Sequence, residues 1–191
     1  MAFNSANADR PNGLTPIRHL SGGVIRASEY NIAYDYATAI YSGDLVKSAG
    51  AGSDIAVSAV SDTSIGVFAG CSYANDQGEP QFRPYWPGVA LASDTRVIAY
   101  VFDDPDLVFE IQANASYTLA QMGQGMDTVS GGGSTITGRS ADELDISSAG
   151  ADGQLRTIRV VESVDNTPLL TNARIEVIIA EHEFASTRAG V

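Results

Sequence analysis

Asp103, Asp104, Asp106 and Glu110 form the densest group of acids in the chain and are the first residues whose spacing could do chemistry. A calcium site needs six to eight oxygens from a shaped loop. The spacing of such a loop, with glycine at its sixth position and glutamate at its twelfth, is absent here, and a solvated turn accounts for the acids. Paired carboxylates hydrolyse glycosides, but no acid is singled out by its context. His19 and His182 are the only histidines and Cys71 the only cysteine. Zinc sites draw on several such side chains, and these three are scattered. No G-x-S-x-G elbow marks an activated serine. Gly131-Gly132-Gly133-Ser134 lacks the lysine of a phosphate loop and reads as a flexible tip. Asn114-Ala115-Ser116 matches a glycosylation acceptor, a trivial match without a secretory signal. No catalytic residue, cofactor or metal is expected, and a weak cation site at Asp103, Asp104 and Asp106 stays open.

The element that carries these acids is clearer than their chemistry. Residues 97–112 read V-I-A-Y-V-F, D-D-P-D, L-V-F-E-I-Q. Two β-rich apolar runs flank a short acidic connector, which predicts a hairpin. Asp104-Pro105-Asp106-Leu107 suits a type I turn, with Asp first and Pro pre-setting φ second. Leu107, Phe109 and Ile111 then share one face, and Val108, Glu110 and Gln112 the other.

The 191 residues are 44% hydrophobic and only 18% charged, enough for one sizeable β-domain or one domain with an arm. The net charge of −12 is uneven: residues 51–155 hold fourteen acids and three bases, so −11 lies there. Nucleic-acid binding needs clustered Lys and Arg and is not expected. Anionic membranes are disfavoured for the same reason. The start M-A-F-N-S-A-N-A-D-R has no basic start or apolar core of a signal peptide. No apolar run reaches the ~20 residues of a membrane-spanning helix, so a protein made in the cytoplasm and soluble there is expected. Cys71, inside I-G-V-F-A-G-C, is expected to be a buried core thiol.

Residues 1–42 are expected to form an extended N-terminal arm, and 43–191 a β-domain. Pro11 and Pro16 favour extended backbone before them. Leu14, Ile17, His19 and Leu20 make the segment too apolar for a simple linker, and with Pro16 and Arg18 they form the arm's contact set. They are expected to bind a partner outside the arm's own fold, an ordinary disordered terminus being the alternative. Residues 30–41 are Tyr-rich and favour strand. Short strands are expected at 45–47, 55–60 and 65–71, with glycines at bulges or bends. Residues 72–90 look like an irregular excursion. Its Phe82, Tyr85 and Trp86 suit either a partner contact or a loop folded over the core. A short helical turn is expected at 117–122, a Gly/Ser/Thr-rich loop region at 123–153, and a strand pair at 154–164 and 173–180. The fold class is mainly β, a small barrel or a sandwich with long loops.

Several segments together carry a resemblance. N-G-L-T-P-I-R-H-L-S-G-G (12–23), G-D-L-V (43–46), I-G-V-F-A-G (65–70), D-D-P-D-L-V-F-E-I-Q (103–112) and D-N-T with I-E-V-I-I (165–179) resemble, in order, the head decoration or cement proteins of tailed bacteriophages. The resemblance implies a non-catalytic protein that binds the outside of the mature capsid, on the major capsid protein, often as a homotrimer. It implies a place on the virion after synthesis in the host cytoplasm. Another virion component, such as a tail, knob or head-fibre subunit, is the runner-up, and a capsule-degrading hydrolase the third class.

Overall fold

Strands dominate the computed structural model, as the alternating apolar runs and Gly/Asp/Asn turns require; the structure describes residues 6–50, 53–93 and 95–185. In chain order they are β1 (Thr15–His19), β2 (Ser28–Ile32), β3 (Ile40–Tyr41), β4 (Leu45–Ser48), β5 (Ile55–Val57), β6 (Gly66–Ala74), β7 (Pro80–Arg83), β8 (Tyr85–Trp86), β9 (Val97–Phe102), β10 (Leu107–Gln112), β11 (Gly125–Met126), β12 (Thr128–Val129), β13 (Glu143–Leu144), β14 (Leu155–Val160) and β15 (Arg174–Ile179). Single 3-10 turns at Leu119–Gln121 and Ile146–Ser148 are the only helical pieces among the described residues.

Two antiparallel sheets carry the fold. Sheet I runs β1-β10-β15-β14-β11, and sheet II runs β2-β9-β6-β4-β5 with β7 paired to β6. The arrangement is sandwich-like, and neither sheet closes into a barrel. Leu107, Phe109 and Ile111 of β10 and Ile175, Val177 and Ile179 of β15 bury one face of sheet I in a first core. Val97, Ala99 and Val101 of β9 join Ile40, Phe68 and Trp86 in a second. Adjacent residues divide between the two: Leu45 and Val67 go to the first, Val46 and Phe68 to the second. The β4 and β6 part of sheet II is therefore covered on both faces, which explains the unbroken apolar run at 65–71.

The expected hairpin at 97–112 is not formed. Its turn is present, with the Leu107 N–H donating to Asp104 O at 3.1 Å and the Asp106 N–H to Asp104 Oδ1 at 2.9 Å. But β9 pairs with β2 and β6, and β10 with β1 and β15. The segment is an arch between sheets. Each strand's apolar face serves a different core, and Asp103 holds the β9 end by accepting from Ser28 Oγ (2.9 Å) and Tyr30 OH (2.8 Å).

The N-terminal segment is extended as expected but is not separate from the domain. Residues 15–19 are an edge strand on β10, and Leu14 is a core residue, 3% exposed. The chain threads over the β3–β4 turn through two glycines at positive φ, Gly13 (+61°) and Gly43 (+105°). The Leu14 N–H donates to Gly43 O at 2.9 Å. A Cβ on Gly13 would lie 2.7 Å from Gly43 O, and one on Gly43 2.7 Å from Asn12 O, so only glycine allows this crossing. An arm at 1–42 beside a domain starting at 43 thus divides one structural unit; residues 1–5 lie outside the described residues.

Residues 72–90 are more regular than expected. β6 continues to Ala74 and turns back into β7, where Asn75 Oδ1 accepts from the Gln77 and Glu79 N–H groups. The Gly-rich tract is docked on the domain. Ser42 N–H donates to Gly138 O and Ser140 N–H to Ser42 O, both at 2.9 Å. Gly133 lies against the Tyr41 ring and Gly138 against Pro84, too close for any side chain.

Candidate partner-binding surface

The nine residues expected to bind a partner fall into distinct environments. Leu14 is in the core. Pro16 sits on the edge strand opposite Phe109, and its missing N–H, with the bulge between Pro16 and Arg18, blunts that edge against further strands. Ile17 and Leu20 are exposed. Arg18 grips Glu176, with Nη2 at 2.7 Å and Nε at 3.2 Å from Oε2. His19 turns toward Asp104, 3.0 Å from Nε2 to Oδ2. Trp86 is fully buried, its Nε1–H donating to Tyr36 O at 2.9 Å. Tyr85 stacks on Tyr41 with centroids 5.6 Å apart. Phe82 alone of the three aromatics is open, 75% exposed, and leans on Tyr100.

The surface that the sequence reading missed is the outer face of sheet I. Strand alternation puts Arg174, Glu176 and Ile178 of β15 on that face, opposite the core residues between them. Glu176 is nearly buried there between Arg18 and Arg159, the latter at 2.9 Å from Oε1. Arg174 pairs with Glu110 (3.4 Å) and Asp165 (2.6 Å). Arg156, opposite Ile178, makes no ion pair among the described residues. Four of the ten arginines in this acidic chain thus stand on one sheet face.

Apolar hollows run beside Arg156 and Arg159. One of about 350 Å³ is lined by Leu20, Met122, Ile158 and Ile178 together with Arg156. Across Met122 a second, about 430 Å³, takes Leu119, Val160 and Pro168 beside Arg159. A third of about 420 Å³ continues it past Val164. Leu119 is 62% and Val164 87% exposed. At the rim, Leu169 is exposed with φ at +68°, a conformation costing a non-glycine residue about 1–2 kcal/mol. The loop is held from both sides. Asn166 donates to Val161 O and Arg174 O, and Asn7 donates to Thr167 O and Thr171 O, both at 3.0 Å.

Two polar clusters lie elsewhere. Asp44 is buried in the β3–β4 turn and accepts from the Tyr41 N–H at 2.7 Å. Burial pushes its carboxyl up to about 7, against a Ser140 hydrogen bond that lowers it. Asp142 is shifted up as well, again chiefly by burial. The second cluster is Ser21, His19 and Asp104. The Ser21 N–H donates to His19 Nδ1 at 3.1 Å, with Ser21 Oγ 3.0 Å from the same nitrogen. That order suggests a relay for nucleophilic attack, but the main-chain N–H occupies the lone pair a base would use, which places the proton on Nε2. The Asp106 N–H, and then His19, hold the Asp104 carboxyl below its ordinary value.

No protein-family model, characterised protein or solved structure matches this chain.

Proposed function

We propose that the protein is a structural virion component that docks on the outer surface of a tailed-phage capsid, against the major capsid protein, through the outer face of sheet I. The observation that carries the docking surface is the placement of Arg156 and Arg159 beside adjoining apolar hollows on an otherwise acidic protein. Arginine and methionine are residues that partner interfaces concentrate, and the exposed Leu119, Met122 and Val164 offer apolar contacts beside them. The complementary partner surface is apolar, with an acidic group opposite Arg156. The strained Leu169 at the rim fits the same role, because local strain is kept where presentation of a side chain matters. The sequence resemblance supplies the partner class and the trimeric state. Repetition on a lattice then multiplies modest contacts into firm attachment.

The test uses capsids lacking the protein. Met122→Asp with Leu119→Asp alters two exposed side chains, and Arg156→Glu separately alters a half-buried one outside the two cores. Each is expected to weaken capsid binding by about 30-fold or more, the effect of losing about 2 kcal/mol at an interface hot spot. Unchanged binding by both variants refutes the docking face. Absence of wild-type binding to capsids, with the protein located on tails or fibres by electron microscopy, refutes the capsid assignment.

A further inference from the structure

We propose that His19, Asp104 and Asp106 bind a divalent transition-metal ion of the zinc type, closing the end of β1 onto the arch between the two sheets. The claim is independent of the docking face. Three ligand atoms from segments 85 residues apart converge here, all within 4.8 Å of one another. Nε2 of His19 and Oδ2 of Asp104 are already 3.0 Å apart. Two ligands about 2.0–2.2 Å from a tetrahedral zinc stand roughly 3.3 Å apart, so this pair needs only a small adjustment. The Asp106 side chain must close inward to complete the set.

The imidazole distinguishes this cluster from a group of surface acids. Its side chain is only 10% exposed, and its ring lies over Gly23, where a Cβ would come within 3.1 Å. Ser21 Oγ stands 3.0 Å from the other ring nitrogen, the position from which an outer partner orients a metal-bound histidine. Binding exchanges the tautomer. The Nε2 proton leaves to solvent, water returns one to Nδ1, and Nδ1–H donates to Ser21 Oγ. The displaced Ser21 N–H then faces solvent, since Ser21 is exposed. One nitrogen and two carboxylates suit zinc or cobalt, whereas calcium seeks six to eight oxygens. Three protein ligands leave a fourth position for water. Arg26 is near enough to Asp104 to act on it electrostatically, and its charge opposes the cation.

The experiment is calorimetric titration of untagged, metal-stripped protein with zinc, cobalt and calcium chlorides. Saturable one-to-one uptake of zinc and cobalt, with a visible absorption band for bound cobalt and no comparable calcium uptake, is expected. Asp104→Asn retains the oxygen that accepts from the Asp106 N–H, so the turn survives. It and His19→Gln should each weaken zinc by more than tenfold. Ser21→Ala should weaken it about tenfold, and Arg26→Ala should strengthen it. Asp106→Asn serves if either variant misfolds by circular dichroism. The proposal is overturned by a wild type that takes up no stoichiometric zinc, or by folded ligand variants that bind zinc like wild type.

Discussion

Leu14 decides whether the N-terminal segment belongs to the fold or to a partner. Its side chain is 3% exposed, packed in the first core with Leu45 and Val67. Replacement by alanine loses the transfer free energy of the removed carbons and leaves a cavity, together about 3 kcal/mol. For a domain of this length that corresponds to a fall of roughly 6–12 °C in melting temperature. Ile17, three residues on, is 36% exposed on the edge strand, and Ile17→Ala should cost under about 1 kcal/mol. Deleting residues 1–20 removes more than Leu14. It strips β1 from β10, takes Arg18 from Glu176 and removes the Asn7 clamp on the 167–171 loop. The summed loss approaches the whole stability of a typical domain, about 5–15 kcal/mol, so the truncated chain should be unfolded or aggregated. Urea unfolding followed by fluorescence and circular dichroism measures all three. A truncated protein with the wild-type midpoint, or a Leu14→Ala change no larger than that of Ile17→Ala, sinks the placement of the arm.

Two further outcomes follow from buried groups. Asp44 is shifted up to about 7 by burial, so between its ordinary value of 3.8 and 7 the folded state holds a proton that the unfolded state has lost. Its contribution is fully present below the lower value and is lost as pH rises through the upper one, with a slope of at most about 1.4 kcal/mol per pH unit. Asp44→Asn should flatten the decline of urea stability between about pH 4 and pH 7, and an equal slope in wild type and variant would count against the burial argument. Cys71 is fully buried and donates to Tyr85 O at 3.4 Å, and burial pushes its thiol up to about 12. It should react with a disulfide reagent only at the rate of unfolding; stoichiometric reaction within seconds under native conditions would contradict its placement.

Fold class and most strand positions were legible because alternation and turn chemistry are local. The turn at Asp104-Pro105-Asp106-Leu107 forms with the expected bond, yet the pairing of its flanks was not legible. A four-residue turn can join neighbours in one sheet or pass between sheets, and alternation along β9 and β10 is the same in either case. What decides is which core each face meets, a non-local fact. Trp86 illustrates the same limit: its proline-rich surroundings look like an open loop, while its burial depends on β3, forty-six positions earlier. The Gly-rich tract misleads in the opposite way. Its glycines look like a free tip, but Gly133 and Gly138 are glycines because Tyr41 and Pro84 fill the space a side chain would take.

The outer face of sheet I escaped notice because its parts are dispersed along the chain. Arg18, Arg156, Arg159 and Arg174 make no basic run, and the region 156–191 has a net charge near zero. Only the β1-β10-β15-β14 order brings them together. That order also explains why arginine is used. Glu176 is nearly buried on a solvent-side face, and the planar guanidinium groups of Arg18 and Arg159 each reach one of its oxygens. Beside this ion-paired group, Arg156 lines the hollow that holds Ile178 and Met122, and Arg159 the one that holds Met122 and Val160. A lysine at position 18 would supply the charge but not the fork by which Nε and Nη2 of Arg18 both donate to Glu176 Oε2. Arg159 thus belongs to both features of this face: it pairs with the Glu176 carboxylate and lines the neighbouring apolar hollow.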